Sequence, residues 1–177
     1  MKRFVLIFII TIASLGLGGS TAAKAASSVD GWIKNGEVHC PYGPESDEWE
    51  MHEEPWERKM LQQIPASILE SIETRELIQL VLEYPFLGDI VFYDTYQMAI
   101  SNMEDQYNGL AELFARKDAG KELLAMYKDL RITNNADGVC KDLFFETMLA
   151  QESILSTLSD VQKEELVETV IKQERNK

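Results

Sequence analysis

Tyr107–Tyr127, YNGLAELFARKDAGKELLAMY, is the stretch whose reading decides the fold of this 177-residue chain. Leu110, Leu113 and Phe114 fall three or four residues apart, and so do Leu123, Leu124 and Tyr127, giving each half one apolar helical stripe. The polar turn RKDAG separates the halves, and Asp118 stands where it is expected to cap the second helix. Two short amphipathic helices joined by a tight turn form a helix hairpin, and the flanking sequence reads as more of the same.

Upstream, Leu77, Leu80, Val81 and Tyr84 form an i, i+3, i+4, i+7 stripe, with Thr74 expected as N-cap and Pro85 as stop. Ile68, Leu69 and Ile72 mark a helix after Pro65, and Met60, Leu61 and Ile64 mark one before it. The order Ile90, Val91, Tyr93, Asp94, Gln97, Met98, running on through Met103, predicts one long helix that Asn108-Gly109 breaks. Downstream, Asn134, Asn135, Asp137 and Gly138 predict a loop. Leu143, Phe144, Phe145, Met148 and Leu149 open another helix. Ser159 with Gln162 forms a capping box for a last one through Lys172, carrying Leu166, Val167, Val170 and Ile171. The fold class expected is all-α: six or seven short helices in antiparallel hairpins, a bundle or a short HEAT-like helical array. Leu77, Leu80, Val81, Ile90 and Val91 also precede Leu110, Leu113, Phe114, Leu123 and Leu124 by 33 residues. That is the spacing of helix-hairpin repeats, although any two helix pairs of similar length would match this way.

The N-terminus sets the compartment. Lys2 and Arg3 precede an apolar run from Phe4 to Leu17, and Ala23-Lys24-Ala25 supplies an A-x-A cleavage site. Gly16, Gly18 and Gly19 cut the run short of the ~20 residues that a membrane anchor needs. Residues 1–25 are therefore expected to be a secretory signal peptide and the mature chain to be secreted or otherwise extracytoplasmic, with no membrane association after cleavage. Cleavage removes Lys2, Arg3 and Lys24, so 14 Lys+Arg face 30 Asp+Glu and the net charge moves from −13 to −16. Such acidity repels phosphate backbones and anionic lipid, which excludes a nucleic-acid partner.

Residues 26–55 read as an irregular acidic arm and residues 56–177 as the helical domain. Ala26–Asn35 is small and polar, without evident order; GEVHCPYGP (36–44) is rich in glycine and proline; seven carboxylates then lie between Glu45 and Glu57. Trp49 and Trp56 in this strip are expected to pin the arm to the helices. Cys40 and Cys140 are the two cysteines of an exported chain, most simply one disulfide, with free thiols or an intermolecular bond as the alternatives. Closing so long a loop would stabilise by ~4–5 kcal/mol in the chain-entropy view.

Catalytic signatures are sparse. His52-Glu53 starts like H-E-x-x-H, but Trp56 stands where the second histidine belongs. A Cys40–His52 nucleophile pair lacks any family signature, and no P-loop, G-x-S-x-G or dinucleotide fingerprint occurs. Residues 133–144 resemble a calcium loop only at Asn135, Asp137 and Gly138; Thr133 and Phe144 occupy positions that need acids. No cofactor and no metal are expected. Tyr84, Tyr93, Tyr96, Tyr107 and Tyr127, with Arg116 and Asp118, form the one polar-aromatic set that would suit a binding groove between helices, and each also has a structural use.

Pro41, Pro44, Ser46, Glu48-Trp49, Lys59-Met60-Leu61, Ile64-Pro65, Ile68-Leu69, Glu76-Leu77, Val81–Pro85, Tyr107–Leu113, Arg116, Asp118–Gly120 and Leu123–Tyr127 carry a resemblance. Together they resemble the IPxxIL, ELxxxVLxYP, [FY]NGLxEL, RxDAG, LLxxY pattern of an uncharacterised family of small exported bacterial helical proteins. The resemblance spans Pro41–Leu130 and implies an exported helical domain without implying an activity. The function expected is that of an exported, soluble, non-enzymatic helical binding or interaction protein, its partner a protein or cell-envelope component. The alternative is a metal-binding or hydrolytic protein that uses the acidic strip with His39 and His52.

Overall fold

Residues 31–130 and 136–175 are described by the structure, a computed structural model; for residues 136–140 and 174 only the backbone course is described. This part is all-α apart from one two-stranded ribbon. In chain order it runs β1 (Ile33–Lys34), β2 (Glu37–Val38), α1 (Asp47–Met51), α2 (Pro55–Leu61), α3 (Ala66–Ser71), α4 (Thr74–Leu82), a 3-10 helix (Leu87–Phe92), α5 (Tyr96–Gln106), α6 (Asn108–Ala115), α7 (Ala119–Asp129), α8 (Ala136–Leu149), α9 (Glu152–Leu155) and α10 (Asp160–Glu174). Six of these helices, α4 to α8 and α10, reach eight residues or more. The others are pieces of one or two turns.

The helix α7 is the hub. It packs against α4, α6, α8, α9 and α10, and its Ala119, Gly120, Leu123, Leu124 and Tyr127 are all buried. The α6–α7 hairpin that the sequence pattern demands is thus present, with Leu110, Leu113 and Phe114 buried on its first arm. The capping box of α10 also forms as expected: Ser159 Oγ accepts from Gln162 N, and Ser159 N donates to Gln162 Oε1 at 3.0 Å.

Several local expectations are corrected. The long helix from Ile90 is not formed. The chain makes a 3-10 turn to Phe92, extends at Tyr93, and restarts at α5, where the Thr95 side chain accepts from Met98 N. A Thr hydroxyl that satisfies a free N–H competes well with helix continuation at that point. Val91 and Phe92 are exposed as a result. The 33-residue echo therefore is not a structural repeat: Ile90-Val91 lies on a 3-10 turn with Val91 exposed, whereas Leu123-Leu124 is buried within α7. The break before α6 falls at Tyr107, with φ −132° and ψ 108°, so Asn108 and Gly109 start α6. Thr74 is the first residue of α4 and Glu73 its N-cap, with Glu73 N donating to Glu76 Oε2 at 3.1 Å. α8 begins at Ala136, so Asp137 and Gly138 are helical, while Asn134 and Asn135 lie outside the described residues.

From Gly31 onward the N-terminal arm is more ordered than its composition implies. Asn35 and Gly36 both have positive φ (58° and 85°), the backbone of a two-residue hairpin turn that pairs Ile33 with Val38. Trp32, at 1% exposure, enters the core. Trp49 lies 5.5 Å from the Phe86 ring with the Arg58 guanidinium 5.2 Å over it, but Trp56 is 64% exposed. The arm is held by Trp32 and Trp49 and not by Trp56.

Candidate functional site

Of the residues singled out above, Arg116 and Asp118 meet in one cluster with Thr74, and the cluster is structural. Arg116 follows the last residue of α6. Its Nη2 donates to Leu69 O at 2.6 Å, its Nη1 to Ile72 O at 2.9 Å, and its Nε to Glu112 Oε1 at 3.1 Å. The guanidinium thereby satisfies the loose carbonyls at the end of α3, as a cation near a helix C-terminus should. Asp118 occupies the N-cap position of α7 but makes no side-chain capping bond there, which corrects the capping expectation. Its Oδ1 accepts from Thr74 Oγ1 at 2.8 Å, and that same hydroxyl lies 3.4 Å from Arg116 Nη1. RKDAG is a clasp between α3, α4, α6 and α7.

A second clasp joins Asn108 to Ile64. Asn108 Oδ1 accepts from Ile64 N at 2.9 Å, and Asn108 Nδ2 donates to Ile64 O at 2.8 Å. The two glycines beside these clasps are close-approach sites. A Cβ on Gly109 would lie 2.6 Å from Tyr107 Cζ and 2.8 Å from Ile64 Cδ1, and one on Gly120 2.9 Å from Ile154 O.

The tyrosines do not share one surface. Tyr84 and Tyr107 stack in the core with ring centroids 4.3 Å apart. Tyr127 is buried and donates to Glu146 Oε1 at 2.7 Å. Tyr93 is half-buried and bonded to Asn102 Oδ1, which leaves Tyr96, at 50% exposure, as the only one of the five that is freely presented. Burial raises the phenol pKa of Tyr84 and of Tyr107 well above the ordinary range.

Cys40 carries a free thiol, so the expected Cys40–Cys140 bridge is not formed in the structure; the Cys140 side chain lies outside the described residues. Cys40 Sγ donates to Gln62 Oε1 at 3.3 Å, and Gln62 Nε2 donates to Tyr42 O at 2.6 Å. Burial pushes the thiol up to about 11, with Glu83 adding to the rise and the Tyr42 backbone opposing it. A thiol held neutral at physiological pH is a poor nucleophile.

Among the described residues, two concavities stand out. The first, of about 360 Å³, lies between β2 and α4, lined by Glu37, Val38, His39, Glu76, Gln79, Leu82, Glu83 and Lys141. His39 sits between Glu37 Oε2 at 3.5 Å and Glu83 Oε2 at 3.7 Å. His52 is engaged elsewhere, its Nδ1 2.7 Å from Glu48 O at the end of α1. Among the described residues no group of three or more His, Cys, Asp or Glu is arranged to hold a metal ion.

The second concavity, also about 360 Å³, is apolar. Leu149 and Ala150 at the end of α8, Leu155 of α9, and Leu166, Val167, Val170 and Ile171 of α10 line it, with Glu146 as the single charged group. These four α10 residues make up the helix's apolar stripe, yet Val167 is 57% and Ile171 47% exposed. The stripe of α10 is wider than the surface that α7, α8 and α9 offer it. The adjacent pairs Leu166-Val167 and Val170-Ile171 are its sequence signature.

No family model, curated protein or solved structure matches the chain.

Proposed function

We propose that this chain is an exported, non-enzymatic helical binding module, and that its partner seats an apolar segment in the groove of α8, α9 and α10. The observation that carries this reading is the groove itself. It is a preformed concavity of about 360 Å³ with one charged lining residue, open at Val167 and Ile171. Sites for partners are concave, mostly apolar and largely preformed, and an exposed apolar patch rimmed by polar residues marks an interaction surface. The residues that looked most like chemistry support the same view. Arg116 and Asp118 are spent on clasps, and the Cys40 thiol is neutral and bonded to Gln62. Among the described residues no helix is long and apolar enough to cross a membrane.

A neutral solvatochromic dye such as Nile red tests the groove. Its emission should rise on the folded protein and fall back in Val167→Ser/Ile171→Ser, with the melting temperature unchanged. Equal emission from both proteins would overturn the site. Hydrolysis of a peptide or glycan library, abolished by one carboxylate substitution, would overturn the non-enzymatic reading, as would stoichiometric metal in elemental analysis of the purified protein. Export is checked by N-terminal sequencing of protein recovered outside the cytoplasm, which should begin at Ala26.

A further inference from the structure

We infer that the occupant of the α8–α10 groove is a cationic amphipathic helix of a partner protein. The inference rests on the groove reading above and adds the chemistry of what fills it. Asp160, Glu164 and Glu168 are exposed and stand four residues apart, so they form one row along α10. Glu164 lies three residues before Val167, and Glu168 three before Ile171, so the acidic row borders the open apolar row turn by turn. Asp160 has Lys163 at 3.9 Å, whereas Glu164 and Glu168 have no ion-pair partner among the described residues. Like charges at this spacing repel along a helix. A row of lysines or arginines laid beside them would remove that repulsion while the partner's apolar row filled the groove.

Charge decides among the occupants. A second copy of this chain, docked through the same face, would bring the two acidic rows together on molecules that each carry a net charge of −13, or −16 once residues 1–25 are removed. Anionic lipid and nucleic acid meet the same repulsion. A helix with apolar anchors at i, i+3, i+4 and i+7 and basic residues at four-residue steps meets both rows favourably, in the helix-in-groove mode of recognition.

The test uses the purified protein and two fluorescein-labelled synthetic amphipathic peptides. One is built of leucine and lysine; the other has glutamate at every lysine. Fluorescence anisotropy should show saturable binding of the lysine peptide and weaker binding of the glutamate peptide by roughly tenfold, the size that two or three exposed ion pairs produce. Glu164→Gln/Glu168→Gln should weaken the lysine peptide by a similar factor. Glu53→Gln/Glu54→Gln, in the acidic arm, should leave it unchanged, and equal loss there would show diffuse attraction and overturn the site. If both peptides bind equally and both are lost in Val167→Ser/Ile171→Ser, the groove stands and the cationic partner is overturned. If neither peptide binds, both readings fall. Dimerisation in sedimentation, lost in Val167→Ser/Ile171→Ser, would assign the face to a second copy and overturn the inference. All six substituted positions, Glu53, Glu54, Glu164, Val167, Glu168 and Ile171, are exposed, so the variants retain the fold.

Discussion

At the scale of single residues, Arg116 is the position where chemistry and architecture compete, and architecture wins. Its planar fork reaches Leu69 O and Ile72 O at once, while its Nε serves Glu112. An ammonium cannot span two carbonyls in that geometry. Arg116→Lys should therefore behave like a loss, costing about 1–3 kcal/mol in urea unfolding through carbonyls left without a donor. A change under 0.5 kcal/mol would refute the clasp. Gly120 makes a sharper case. Alanine is worth about 1 kcal/mol over glycine inside a helix. Here, however, its Cβ would lie 2.9 Å from the backbone carbonyl of Ile154. Gly120→Ala should destabilise by about 1–3 kcal/mol, because a backbone cannot step aside as a side chain can. Gly109→Ala should cost less, since Tyr107 and the end of Ile64 are side-chain neighbours.

At the scale of elements, the N-terminal ribbon is the least expected piece and the most informative. Strands of two residues cannot stand alone in water. This ribbon persists because Asn35-Gly36 sets the turn and because Trp32, one residue before β1, is buried to 1% exposure. The Trp32 carbonyl accepts from His39 N at 2.8 Å, so the anchor and the ribbon are one unit. Trp32→Ala should cost about 3–5 kcal/mol, the usual range for emptying a large aromatic site. It should also raise hydrogen exchange at Lys34 and His39, whose N–H groups face across the ribbon. Loss of stability without faster exchange in the ribbon would show that Trp32 serves the helical core alone. The element α10 shows the opposite balance. Its tie to α7 runs through Gln173 Nε2 on Tyr127 O at 2.7 Å and the Lys128–Glu165 pair, and half of its apolar stripe stays outside.

At the scale of the whole molecule, stability should depend on alkaline pH with a definite sign. The Cys40 thiol has an ordinary value of 9.0 and is held at about 11 in the fold, chiefly by burial. Below pH 9 both states keep the proton and the contribution is fully present. As pH rises through about 11 the unfolded chain ionises first, and stability falls. Cys40→Ala should remove the fall that begins near pH 9. What remains should begin above pH 10, where the buried Tyr84 and Tyr107 phenols resist ionisation in the same sense. Urea midpoints between pH 8 and 11 measure both. A chain bridged at Cys40 would show no thiol-dependent fall near pH 9, Cys40→Ala would lower its urea midpoint at every pH, and it would titrate no thiol when unfolded without reductant.

The amino-acid sequence alone determined the helical class, the α6–α7 hairpin and the Ser159 cap, because periodicity and capping act over a few neighbouring residues and need no distant partner. It also held the ribbon's turn, in Asn35-Gly36, a signal outweighed by the polar composition around it. Only the tertiary structure decided where Arg116, Asp118 and Thr74 would point, since their partners lie more than 40 residues away along the chain. It alone decided that Leu166 would be covered while Val167 and Ile171, one residue further on in the same pattern, would stay open. A stripe shows which residues prefer burial; how much of it is buried depends on the surface that other helices bring to it.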